Sequence, residues 1–162
     1  MMETGLCEQV IESIDWSQYE MMNSSAIALR EHLRELIRCE NQERLQELWW
    51  TTLENHVFSA DDVFSAAEPT IQVALAAVAD GISGPALFSI LDLLFHLVHA
   101  SFLSDSSLTR RCQREAVKGI WLLARLTKNS GTERGLALEV LKAFPPREVA
   151  SIVGIPKREN PL

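Results

Sequence analysis

Residues Ser24–His56 read SSAIALREHLRELIRCENQERLQELWWTTLENH, and the spacing of their apolar positions decides the fold class. Ala26, Leu29, Leu33, Leu36 and Ile37 recur three and four residues apart, which places them on one stripe of a helix. Arg30, Glu31, Arg34, Glu35 and Arg38 fall outside that stripe. Ser24 or Ser25 supplies an N-cap, because a serine hydroxyl accepts from a first-turn N–H that has no intrahelical partner. After a break near Glu40–Asn41, the positions Leu45, Leu48, Trp49, Thr52, Leu53 and His56 repeat the spacing and predict a second helix. With so short a connection, the two helices are expected to fold as an antiparallel hairpin.

The pattern continues outward from this pair. Ser59-Ala60-Asp61-Asp62 reads as a helix start with acids in the first turn, where the helix dipole favours them, and predicts a short helix to about Ala67. Pro69 suits the first turn of a further helix that runs to Asp80 and stops at Gly81. Gly84-Pro85 opens a long helix through about Phe102, and the polar turn Ser104–Ser107 caps a helix predicted over Leu108–Lys128. Asn129–Gly131 ends that helix; another follows over Thr132–Phe144, closed by Pro145-Pro146, and a last short helix is expected at Arg147–Val153. Period-two alternation does not recur. The expected class is all-α, with six or seven antiparallel helices. Pairs repeating at about forty residues predict a short HEAT-like α-solenoid, with an irregular helical bundle as the alternative. Residues 1–155 are expected to form one domain and residues 156–162 a frayed tail.

Composition excludes several classes. At 162 residues, with 47% apolar and 23% charged side chains, the chain has the size and content of one globular domain and not of a disordered acidic tail. Cys7, Cys39 and Cys112 are odd in number, far apart and without CxxC spacing, so they read as free thiols of a reducing cytoplasm. Met1–Ser13 carries Glu3, Glu8 and Glu12 in place of the basic and apolar regions of a secretory leader, which also points to a cytoplasmic protein. The apolar run Ala86–Leu103 is interrupted by Ser89, Asp92, His96, His99 and Ser101, and is expected to be a core helix and not a membrane span. The chain holds no P-loop, GxGxxG, GxSxG or CxxC, so neither a cofactor nor an enzymatic activity is expected.

Charge is divided by position. Residues 1–104 hold sixteen acids against four arginines, a net of −12, while residues 105–162 hold six acids against eleven bases, a net of +5. Such an oriented field acts on partner capture more than on fold, and it points to a protein partner with a basic surface.

The acidic part offers a candidate binding face. With Leu45, Leu48, Trp49, Thr52 and His56 turned inward, Trp50 lies about 100–140° away, on the flank that carries Glu43, Glu47 and Glu54. Tryptophan is enriched at binding hot spots and carboxylates steer cationic surfaces, so the four form a plausible anchor; the plainer alternative is that Trp50 packs against a neighbouring helix. Asp61, Asp62 and Glu68 form a second acidic group, most simply read as helix-start acids that also meet a partner. Asp92, His96 and His99 share one helical face but lack the usual i, i+4 histidine pair with its glutamate, so buried or edge hydrogen bonding is expected in place of metal binding. Arg111, Arg114, Lys118 and Arg125 form a basic stripe, opposite Ala116, Ile120, Leu123, Ala124 and Thr127 on the same predicted helix. A solvated face, or an intramolecular partner for the acidic half, is the expected use of this stripe; the alternative is a HEAT-like adaptor or a nucleic-acid-binding helical repeat protein that contacts phosphates through it, but a chain of net charge −7 makes nucleic acid an unfavourable partner.

Two stretches add a likeness. Ile14-Asp15-Trp16, with Tyr19 and Ser25-Ala26 ahead of an amphipathic helix, and Val63-Phe64-Ser65-Ala66-Ala67-Glu68-Pro69-Thr70-Ile71 ahead of an Ala/Leu-rich one, resemble a bacterial family of HEAT-like repeat proteins. Together they span roughly residues 14–100; the family's glycine after the tyrosine is Glu20 here, and its histidine–glutamine–glycine turn is His56-Val57-Phe58. Members of that family are often linked to bacterial toxin loci. The resemblance therefore implies an immunity protein that neutralises a cognate toxin or effector domain by occluding it, and it carries over no catalytic residue.

Overall fold

A computed structural model describes residues 4–153, which are mostly helical, as the sequence predicts. Nine α-helices lie among the described residues: α1 (Leu6–Ser13), α2 (Leu29–Arg38), α3 (Gln42–Leu48), α4 (Ala67–Ala79), α5 (Gly84–Leu103), α6 (Ser107–Val117), α7 (Ile120–Leu126), α8 (Thr132–Ala143) and α9 (Pro146–Val153). Two hairpins of two-residue strands interrupt them: β1 (Glu20–Met21) with β2 (Ser24–Ser25), and β3 (Phe58–Ser59) with β4 (Asp62–Val63). The tail expected over residues 156–162 lies outside the described residues, as do residues 154–155 of the expected domain.

The centre of the molecule is α5. Its composition and 20-residue length, with mean hydropathy 1.8, would suit a membrane span, yet α2, α3, α4, α6 and α8 all pack on it here. Ile90, Leu91, Leu93 and Leu97 are fully enclosed, which accounts for the apolar run read from the sequence. Truncating one such leucine to alanine costs about 2–5 kcal/mol, because the cavity left behind only partly collapses. The less buried stripe of α5 runs through Pro85, Phe88, Ser89, Asp92, His96 and His99 and takes in four of the polar positions that break the apolar run; the fifth, Ser101, is buried and donates to the Leu97 carbonyl. Cys7 and Cys112 are buried, and desolvation pushes their thiols up to about 12 and about 11 respectively, so both stay protonated near neutral pH.

Three elements differ from the sequence expectation. The helix predicted from Ser59 to Ala67 is instead the β3–β4 hairpin, so Asp61 and Asp62 sit in a hairpin and not in a first helical turn. Burial of Phe58 and the bond from Phe64 N–H to the Val57 carbonyl (3.1 Å) close this segment on itself, and α4 starts only at Ala67. The helix predicted over Leu108–Lys128 is broken at Gly119, where a Cβ would stand 2.1 Å from Leu75 Cδ2 of α4. Leu75 thus packs into the space beside this glycine, where α6 gives way to α7. Finally, the helix expected to reach residue 56 leaves α-geometry at Trp49, passes through a π-helical turn over Trp49–Leu53 and ends at Glu54.

A helix the pattern did not announce, α1, is fixed from a distance. Both carboxylate oxygens of Asp80, at the end of α4, accept from its first amides, Leu6 N–H at 2.9 Å and Cys7 N–H at 2.7 Å. Across the surface, Arg34 of α2 reaches Glu8 and Glu12 of α1 together with Glu31. The two hairpins join as well, through Glu20 N–H to Ser65 Oγ (2.7 Å) and Ala66 N–H to the Glu20 carbonyl (3.0 Å).

Candidate functional site

The groove with the densest aromatic lining is built by α3, its π-turn and α5. Asn41 caps α3 by accepting from Arg44 N–H at 3.1 Å, and the apolar side chains Leu45 and Leu48 anchor it inward. The wider π-turn then sets Trp49 and Trp50 side by side over the outer stripe of α5. Pro85, Phe88 and Asp92 form the facing wall, and Leu136 of α8 closes the groove, which has a volume of about 450 Å³.

A stack of rings holds this wall. Trp49 Nε1–H donates to Glu54 at 3.0 Å, and the Trp49 ring meets Phe58 edge-on at 5.9 Å. Phe58 stacks on His96 at 5.1 Å with 11° between the ring planes, and His96 lies 5.6 Å from Trp49. His96 Nε2 is 3.5 Å from Asp92, while His99 stacks on Phe95 and lies 3.6 Å from Asp61 in the β3–β4 turn. Aromatic contacts of this kind are each worth about 0.5–1.5 kcal/mol beyond buried area, so the π-turn is held through Trp49 by Phe58, His96 and Glu54.

The seven residues singled out from the sequence divide among three places. Trp50 is 58% exposed and lies on the groove rim, so it does not pack away against a neighbouring helix. Glu43 and Glu47 are exposed on the same flank of α3, Glu47 paired with Arg44 at 3.1 Å. Glu54 faces inward to Trp49 and is half-buried, which makes it a brace of the groove and not part of its rim. Asp61 and Asp62 are exposed at the hairpin beside the far end of α5. Glu68 is half-buried in the first turn of α4 and pairs with Arg111 at 3.3 Å.

Residues that the sequence reading did not assign to binding, namely Gln42, Gln46, Phe88, Asp92 and Leu136, complete the groove. The signal for Phe88 and Asp92 was present in the polar breaks of α5, which fall three and four apart and mark the face left uncovered. Nothing in the sequence announced Leu136, since only the return of α8 onto α5 brings it there.

Asp92, His96 and His99 share a face but do not converge, since each histidine turns to a different aspartate. Among the described residues, no group of three or more His, Cys, Asp or Glu is arranged to hold a metal ion. The basic stripe is divided by the break at Gly119, which leaves Arg125 on α7 while Arg111 and Arg114 stay on α6. Lys118, at the end of α6, pairs with Glu115 at 2.9 Å.

Comparison of the chain with protein-family models, curated proteins and solved structures finds no match.

Proposed function

We propose that the chain is a non-enzymatic protein-binding module that takes a basic partner on the Trp49/Trp50 groove, and that it serves as a cytoplasmic immunity protein occluding a bacterial toxin or effector domain. The observation that carries this reading is the exposed Trp50 on the rim of an aromatic groove, next to Trp49, which Glu54 holds in place, and on the α3 side where Glu43 and Glu47 are exposed. An exposed indole offers a large apolar surface of the kind that dominates binding hot spots, and the carboxylates of α3 raise the encounter rate with cationic surfaces. The −12 charge of residues 1–104 extends that attraction over the whole acidic part.

The immunity role rests on the HEAT-like resemblance of residues 14–100, and the proposed architecture is the short solenoid which that family implies. Asp61 and Asp62 form an outer edge of the same acidic surface in this reading, while Glu54 and Glu68 support it from within.

The test is a growth assay. The product of the gene adjoining this one is expressed alone and together with this chain, in the wild-type form and as Glu43→Lys/Glu47→Lys. Toxicity relieved by the wild type and not by the charge-reversed chain is expected. A neighbour without toxicity, or equal relief by both forms, contradicts the proposal.

A further inference from the structure

A second groove, opposite in charge, lies where the C-terminal part of α5 meets α6 and α9. Its volume is about 560 Å³; Phe102 and Val117 provide apolar surface, and Arg110, Arg111 and Arg114 stand around it with a single carboxylate, Glu148. Two of the arginines are held by their inner edges, Arg110 Nε at 3.0 Å from Asp105 and Arg111 Nε at 3.3 Å from Glu68. Neither makes a hydrogen bond through its terminal Nη groups among the described residues, and Arg114 has no ion-pair partner among them. Guanidinium forks positioned in this way match carboxylates in a bidentate manner, and their anchored edges reduce the entropy lost on binding.

We propose that this groove binds a short acidic segment of a partner protein, its carboxylates on Arg110 and Arg114 and an apolar side chain between them on Phe102 and Val117. Charge complementarity selects the occupant. The groove offers the unpaired Arg114, the outer nitrogens of Arg110 and Arg111, and an apolar floor, which suits a segment with a few carboxylates about one apolar residue. A polyanion is a poor fit, because a run of phosphates calls for a row of unpaired cations, whereas Arg114 alone of the three arginines has no ion-pair partner among the described residues. The second site stands on observations separate from the Trp50 groove, and with it the protein has two faces of opposite preference.

Fluorescence anisotropy of a labelled peptide, with paired glutamates on both sides of a leucine, tests the site in the full chain at low salt. Saturable binding is expected, weakened at least about tenfold by Arg110→Glu/Arg114→Glu and by replacing the peptide's glutamates with glutamines. Glu43→Lys/Glu47→Lys should leave it intact, which separates this site from the Trp50 groove. Circular dichroism of each variant checks that the fold persists, and Arg114→Gln, a milder change, should give an intermediate loss. Absence of saturable binding, equal binding by the charge-reversed chain, or tighter binding of a single-stranded oligonucleotide of equal charge would overturn the proposal.

Discussion

Arg111 Nε lies 3.3 Å from Glu68 Oε2, so the basic face of α6 and the acidic first turn of α4 are joined within one molecule. Read separately in the sequence, these residues belonged to opposite candidate surfaces. Glu68 is mostly enclosed and Arg111 is partly exposed, which places the pair near the upper end of the range for surface ion pairs. A double-mutant cycle of Glu68→Gln and Arg111→Gln should give a coupling of about 0.5–1 kcal/mol, measured by urea denaturation and reduced by salt. Strict additivity of the two changes would show that the contact contributes nothing.

The break at Gly119 offers a sharper test of packing. A Cβ there would meet Leu75 Cδ2 at 2.1 Å, far inside contact distance. Gly119→Ala should therefore destabilise the protein by about 1–3 kcal/mol, against the usual helix preference for alanine. Combined with Leu75→Ala, the same change should cost less than it does alone. Thermal and urea unfolding of the three variants measure this, and a neutral Gly119→Ala would show that Leu75 yields to the added methyl without cost.

Asp80 should control the order of α1. Asp80→Ala removes both acceptors from the Leu6 and Cys7 amides and is expected to cost about 1–2 kcal/mol, within the range of lost helix caps. Hydrogen exchange at those two amides should speed up while α5 stays protected. Unchanged exchange in α1 would mean that its packing alone holds it.

These cases mark what was legible in the sequence. The stripe Leu29, Leu33, Leu36 and the long run of α5 carry enough periodicity to define a helix by themselves, and both appear where expected. Asp80 caps a helix more than seventy residues away, which no local pattern encodes. The β3–β4 hairpin was misread because Ser59-Ala60-Asp61-Asp62 satisfies the local preferences of a helix start, and tertiary burial of Phe58 outweighs them. At the groove, Trp50 and the two glutamates of α3 were visible, whereas its far wall depends on how α5 and α8 meet.

Acid should loosen the α1–α2 and α2–α3 surfaces first. The hydrogen bond from Arg30, with help from Arg34, holds the Glu12 carboxyl below the ordinary glutamate value, and the hydrogen bond from Arg44 does the same for Glu35. A carboxyl depressed on folding stabilises the protein fully above its unfolded value, about 4.3, and that contribution is lost as pH falls through the lower folded value. Urea midpoints should thus be steady through this contribution above about pH 5 and decline below about 4.3. Arg30→Gln/Arg44→Gln should flatten the decline, and an unaltered pH profile in that variant would rule out these pairs as its source.

The account turns on Trp50 as the anchor of a partner. Once the neighbouring gene product is purified, isothermal titration with the wild-type chain and with Trp50→Ala measures this directly, with the fold of both checked by circular dichroism. Loss of an interface hot spot of 2 kcal/mol or more predicts an affinity at least about thirtyfold weaker for Trp50→Ala. An affinity unchanged by that substitution would contradict the assignment of the groove.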